Sequence, residues 1–167
     1  MKKRHLLSLV LVCSLLTPSM AFSHGDISKF PPSVQILQYK MALYMNPDDL
    51  ETRNKLGIAY WLANRLKEAQ KEFQAVLEKD PRNFNALDGM GLVLLKAGDL
   101  KSALSYFNKA EEINPSDVLV HVHKAVTFER MGKDESAQEE FAKAKSLATD
   151  LDREKIDKEL ELLKKTG

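Results

Sequence analysis

The chain has 167 residues, with 25 Lys and Arg against 24 Asp and Glu and a single cysteine. A near-balanced charge with no basic stripe and no basic–aromatic interleaving argues against nucleic acid as a partner. One cysteine gives no disulfide framework, no thiolate metal site and no haem attachment pair.

The N-terminus reads as a secretory signal. Lys2, Lys3, Arg4 and His5 form a positive start, and residues 6–16 are an apolar run too short to span a bilayer. Ser19-Met20-Ala21 is a small-x-small cleavage site. Removal of residues 1–21 is therefore expected, with cleavage after Ser23 as the alternative. The destination is periplasmic or secreted. Acylation at Cys13 would make a lipoprotein, but Val12 stands where lipid-attachment signals take a small residue. Losing Lys2, Lys3 and Arg4 turns 25 against 24 into 22 against 24 and leaves no cysteine. About 145 residues remain, enough to bury a core without staples. No second apolar span exists, so no transmembrane helix is expected in the mature chain. His24 offers one metal option. Third behind Phe22, or first after Ser23, its imidazole and the free amine form a nitrogen set suited to Cu(II) or Ni(II). Otherwise no cofactor is expected.

Residues 22–32 contain Gly25, Pro31 and Pro32 and read as an extended arm. Residues 33–45 then recur apolar at helical spacing through Ile36, Tyr39, Met41, Ala42 and Leu43. Beyond them a fixed period takes over. Pro47, Pro81 and Pro115 stand 34 residues apart, as do Ala69, Ala103 and Ala137, and Phe73, Phe107 and Phe141. Such a period means stacked units that bury their apolar faces only against neighbours. In the unit 50–83, Leu56, Ala59, Tyr60 and Ala63 form one helical stripe. Asp49 precedes it as an N-cap, as Asn83 and Asp117 do in the next two units. Asn64, Gly98 and Gly132 fall where this first helix must stop, being residues that enter the left-handed C-cap readily. A second helix follows, with Ala69, Phe73 and Val76 inward, until Pro81 ends it. The turns are short, so the helices are antiparallel.

The units are 50–83, 84–117 and 118–151, behind a half-unit at 33–49 in which Tyr39, Ala42 and Pro47 take second-helix positions. Thr149 replaces the proline of the third unit, so its last helix is expected to bend or run on. Residues 152–167, with Ile156, Leu160 and Leu163 on one stripe, read as a capping helix. The expectation is one all-α domain, 33–167, of about eight helices.

This pattern resembles the tetratricopeptide repeat. Leu56-Gly57, Tyr60, Ala69, Phe73, Val76 and Pro81 match it in the first unit, and Met90-Gly91, Leu94, Ala103, Phe107, Ala110 and Pro115 in the second. Ala125, Phe128, Ala137, Phe141 and Ala144 match in the third. The early Trp-like position departs from it, holding Arg53, Leu87 and His121. The resemblance implies helical hairpins stacked in a right-handed superhelix, a concave groove lined by the first helices, and a protein-binding role in place of catalysis.

By register the groove takes Glu51, Asn54, Ile58, Trp61 and Leu62 from the first unit, and Asn85, Asp88, Leu92, Leu95 and Lys96 from the second. The third gives Leu119, Val122, Val126, Glu129 and Arg130. The apolar members form a stripe that the core does not need on this reading, and such a stripe marks a binding site. Ile58, Gly89 and Leu119 stand at three places where carboxylate-clamping members carry Lys, Arg or Asn. An amphipathic helix or an extended apolar peptide is therefore the expected ligand.

No nucleophile elbow, phosphate-cradling loop or metalloprotease helix is present, and the carboxylates alternate with lysines as on a solvated face. His121 and His123 are two apart on a helix, point to different faces and make no chelating pair. The main reading is a non-enzymatic adaptor or scaffold that binds another envelope or secreted protein. Self-association, with the groove of one copy accepting helix 33–45 of another, is the alternative, and metal handling at His24 a third.

Overall fold

The structure, a computed structural model, describes residues 27–165. The signal, both cleavage sites, Cys13 and His24 lie outside the described residues. Eight helices follow a 3₁₀ turn at Ile27–Lys29: α1 Pro32–Met45, α2 Leu50–Leu62, α3 Leu66–Lys79, α4 Phe84–Ala97, α5 Leu100–Ile113, α6 Val118–Arg130, α7 Asp134–Leu147 and α8 Asp150–Lys165. No strand occurs among the described residues. The helices pair as hairpins α2–α3, α4–α5 and α6–α7, and α3 and α5 each also pack on the first helix of the next hairpin. The first helices α2, α4 and α6 touch in succession, and α8 lies against α6. This is an all-α repeat stack.

Local chemistry sets the helix limits. The side chains of Asp49, Asn83 and Asp117 accept from Thr52, Ala86 and Val120 amides at 3.0, 3.2 and 3.1 Å, satisfying donors that the first turn leaves free. Asn64, Gly98 and Gly132 take φ of 58°, 84° and 68°, the left-handed values that close a helix. Asn46, Asp80 and Asn114 end the second-type helices in one shared conformation just before Pro47, Pro81 and Pro115, as the restriction before proline demands.

The core is built on two phenylalanines. Phe73 and Phe107 are fully buried. Phe73 lies between Gly57 of its own hairpin and Gly89 of the next, and a methyl at either glycine would overlap its ring. Phe107 presses on Gly91 of its own hairpin in the same way. Its neighbour in the next hairpin, one period beyond Gly89, is His123, whose ring centroid is 5.3 Å away.

Four expectations change. Phe141 is only half-buried, because the residue one period beyond His123 is the exposed Asp157 and, among the described residues, no further hairpin covers it. Helix α7 neither bends nor runs on: it stops at Leu147 without a proline. Thr149 there donates its amide to Asp152 Oδ2 at 2.9 Å, one arm of a capping box that starts α8 at Asp150, two residues earlier than expected. The hydrogen bonds of Thr149, with Lys155, hold Asp152 down to about 2. The arm is not extended along its whole length, since Gln35 Nε2 donates to Ser28 O and Phe30 O at 3.2 and 2.7 Å and ties the 3₁₀ turn to α1. Gln35 fills a place normally held by alanine for this reason. The helix expected at 33–45 lies against α2 of its own chain through Ile36 and Leu43.

Two substitutions test this packing. Phe107→Ala should cost ~3–5 kcal/mol, as for a buried aromatic that leaves a cavity. Gly91→Ala should destabilise by ~1–3 kcal/mol through overpacking, against the ~1 kcal/mol that alanine gains in an ordinary helix interior. Denaturant titration measures both, and a stabilised Gly91→Ala would refute the close contact with Phe107.

Candidate functional site

The register-derived groove divides into a buried part and an open part. Trp61, Leu92, Leu95, Val122 and Val126 are not a free stripe; all five are buried, Trp61 and Leu95 to 2% and 1% exposure. The reason is contact between successive first helices and, at the end of the stack, with α8. Trp61 Nε1 donates to Leu92 O at 3.1 Å across the α2–α4 seam. These residues are core, and truncating Trp61 and Leu95 would unfold the stack instead of sparing it.

Several polar members also face inward. Lys96 and Arg130 stand one period apart. Lys96 Nζ donates to Trp61 O at 3.1 Å and lies 5.0 Å over the Trp61 ring. Arg130 donates to Leu95 O at 3.3 Å and to Leu163 O at 2.9 Å. Each cation thus adds a side-chain donor to a last-turn carbonyl of the preceding first helix, which also accepts from the amide of Asn64 or Gly98, at an end where the helix dipole favours positive charge. Burial draws Lys96 below the usual lysine range.

His123 joins three helices. It is buried, with Nδ1 2.8 Å from Asp88 Oδ1 on α4 and Nε2 3.2 Å from Glu159 Oε1 on α8. Burial pushes its imidazole down, but the charges and hydrogen bonds of Asp88 and Glu159 outweigh this and raise it to about 10. The ring is therefore an imidazolium clamp between two carboxylates. His121 faces away from it, as expected, and lies 2.7 Å from Glu140 Oε2 and 3.0 Å from Pro115 O.

Glu111, His121 and Glu140 bring three ligand atoms within 4.8 Å of one another, a spacing that could hold a metal ion. The residues do not fit one. Lys124, buried to 5% exposure, places its ammonium between Glu111 and Glu140, 3.0 Å from the latter, and Lys143 adds a second cation at 3.0 Å. Burial favours the neutral acid at Glu140, but hydrogen bonds from His121, Lys124 and Lys143 overcome it and hold Glu140 down to about 2. The carboxylates are already neutralised. Sequence reading missed this network and the His123 clamp. A signal existed: Lys124 and His121 fall on core positions that hold Met90 and Leu87 one unit earlier, so each needed a buried partner.

The open part is a cavity of about 560 Å³ where α1, α2 and α4 meet. The groove residues Glu51, Asn54, Ile58, Asn85 and Asp88 line it, with Ser28, Tyr39 and Lys55. Asn54 Nδ2 donates to Asn83 Oδ1 at 2.9 Å, while Glu51 pairs with Lys55 at 2.6 Å on the rim. A smaller cavity of about 290 Å³ joins Val126, Glu129 and Arg130 to α8. Leu62 and Leu119 are half-buried and line neither.

The Tetratricopeptide repeat family model matches residues 42–118. Residues 42–118 are tetratricopeptide-repeat sequence, and the hairpin stack has the fold of tetratricopeptide-repeat proteins. Human Superkiller complex protein 3 is 31% identical over 85 residues, 51% of this chain and 5% of that protein. Human Tetratricopeptide repeat protein 6 is 23% identical over 128 residues, 77% of this chain and 24% of its own length. The chain thus spans a quarter or less of these curated relatives. Among solved structures, MamA AMB-1 superposes with a TM-score of 0.56 at 27% identity over 71% of this chain and 66% of that one. TTC0263, a thermophilic tetratricopeptide-repeat protein of Thermus thermophilus, gives 0.65 at 20% identity over 70% and 66%. Tetratricopeptide repeats are protein-interaction modules, generally without catalytic activity. No helix among the described residues is long and apolar enough to cross a membrane.

The His123 clamp predicts a pH dependence. Its folded value of about 10 lies above the ordinary 6.5, so its stabilisation is complete below about 6.5 and is lost as pH rises towards 10. Unfolding midpoints measured across that window should fall, and His123→Gln should flatten the fall. An unchanged slope in the variant would place the proton exchange elsewhere.

Proposed function

We propose that this chain is an exported, non-enzymatic adaptor of the cell envelope that holds an amphipathic or apolar segment of another envelope or secreted protein at the open end of its groove. The observation that carries this reading is the cavity at α1, α2 and α4, which gathers five of the groove residues derived from register. Ile58 and Tyr39 supply its half-buried apolar wall, and Glu51, Asn85 and Asp88 its polar rim. That mixture suits an amphipathic ligand. Trp61 and Leu95 support the wall from behind and do not touch the ligand. The positive start, apolar run and small residues of positions 1–23 support export.

Ile58→Ala combined with Asn85→Lys should keep helicity and weaken binding of a partner captured from envelope extract, by ~5-fold or more for loss of an interface contact above about 1 kcal/mol. Binding unchanged in a folded double variant would move the site off this cavity. Sequencing the N-terminus of protein from its own cells should give Phe22 or His24. Intact Met1 on cytosolic protein would refute export.

A further inference from the structure

Helix α1 is apolar on two opposite sides. Ile36 and Leu43 face α2. On the far side Leu37, Met41, Tyr44 and Met45 recur at i, i+4, i+7 and i+8, with Phe30 just ahead of the helix, and all are exposed. A helix that is hydrophobic all round is a buried helix. The repeat supplies an internal control. One period on, the places of Leu37, Met41, Tyr44 and Met45 hold Lys71, Ala75, Glu78 and Lys79 in α3, the solvated surface that a second helix ordinarily shows. The outer face of α1 is the exception, and Gln38 Oε1 beside it is buried with no hydrogen-bond partner.

We propose that this face is the interface of a two-fold dimer, α1 packed on α1 of a second copy. The occupant follows from what the rest of the surface offers. Among the described residues, the exposed large hydrophobics are these five and Leu147. A head-to-tail contact would need a second apolar face elsewhere, and the opposite end of the stack is closed by α8, whose outer side carries Glu154, Lys155, Lys158 and Glu161. Among the described residues, the one surface that matches α1 in size and character is α1 itself, and a self-complementary patch closes as an isologous pair. Charge does not oppose it, since Lys40 is the single charged residue of α1. Exposures of 46–86% on side chains of about 150–250 Å² leave roughly 600 Å² of apolar surface on each copy. That stands at the upper end of the roughly 300–600 Å² reached by the largest apolar patch of a typical monomer, which is often functional, and approaches the roughly 800 Å² per partner of a stable interface.

Analytical ultracentrifugation of the chain should show a dimer at micromolar concentration. Leu37→Glu with Met41→Glu should give a monomer of unchanged helicity, with dimer dissociation raised by ~30-fold or more, as for loss of central contacts. A Tyr44→Cys variant in a Cys13→Ser background should form a covalent dimer on mild oxidation, and Lys71→Cys, at the place of Leu37 in α3, should not. A monomeric wild-type chain overturns the proposal, because the face is then covered by residues 1–26 or by a different protein. So does a dimer indifferent to both glutamates, or Tyr44→Cys cross-linking no faster than Lys71→Cys.

Discussion

The stack depends on one steric match, complete at Phe73: a phenylalanine of a second helix driven between two first helices that have no side chain in its way. Phe73 meets Gly57 on one side and Gly89 on the other, so the helix axes on both sides come to contact distance through the ring alone. Everything else follows from that approach. Ala59, Ala69 and Ala103 are small because the helices are close, and all are fully buried. Trp61 is buried because α4 is drawn up beside α2 by the same ring. Remove the glycine on the far side and the match must be made another way, which is what the third hairpin shows.

There His123 stands where Gly89 stood, and Phe107 packs at a tilt against an aromatic cation in place of bare backbone. A charged ring in that position would be costly without partners. Asp88 and Glu159 supply them from α4 and α8. The same hairpin buries Lys124 against Glu111 and Glu140. The stack thus passes from apolar packing at its second hairpin to ion-paired packing at its third. The third hairpin is also where the terminal helix is placed, and Glu159 of that helix is one of the partners of His123.

The period made the hairpins, their caps and their phenylalanines legible. Asn64, Gly98 and Gly132 are readable as left-handed caps because few residues tolerate that backbone, and Asp49, Asn83 and Asp117 because a helix start needs an acceptor. The groove was less legible. A helical stripe reports which residues face the hairpin partner, but Trp61, Leu92 and Leu95 are covered by the next first helix, a contact between elements a whole period apart. Repetition itself held the missing clue. Lys96 and Arg130 are equivalent residues, and both reach back 35 positions to equivalent carbonyls of Trp61 and Leu95. A cation repeated at a helix end signals the end of another helix nearby.

The two ends of the stack resolve the same problem in opposite ways. A repeat array must stop, and whatever stops it leaves one face of the last unit without a neighbour. At the C-terminal end α8 turns Leu163 inward and charged residues outward, and Arg130 and Glu159 fix its place through Leu163 O and His123. At the N-terminal end α1 has no comparable polar side. The repeat shows that polar residues fit there, since α3 carries Lys71, Glu78 and Lys79 at the same places. Nothing in the packing of α1 on α2 requires Leu37, Met41, Tyr44 or Met45, so the constraint that keeps that side apolar comes from outside the hairpin stack.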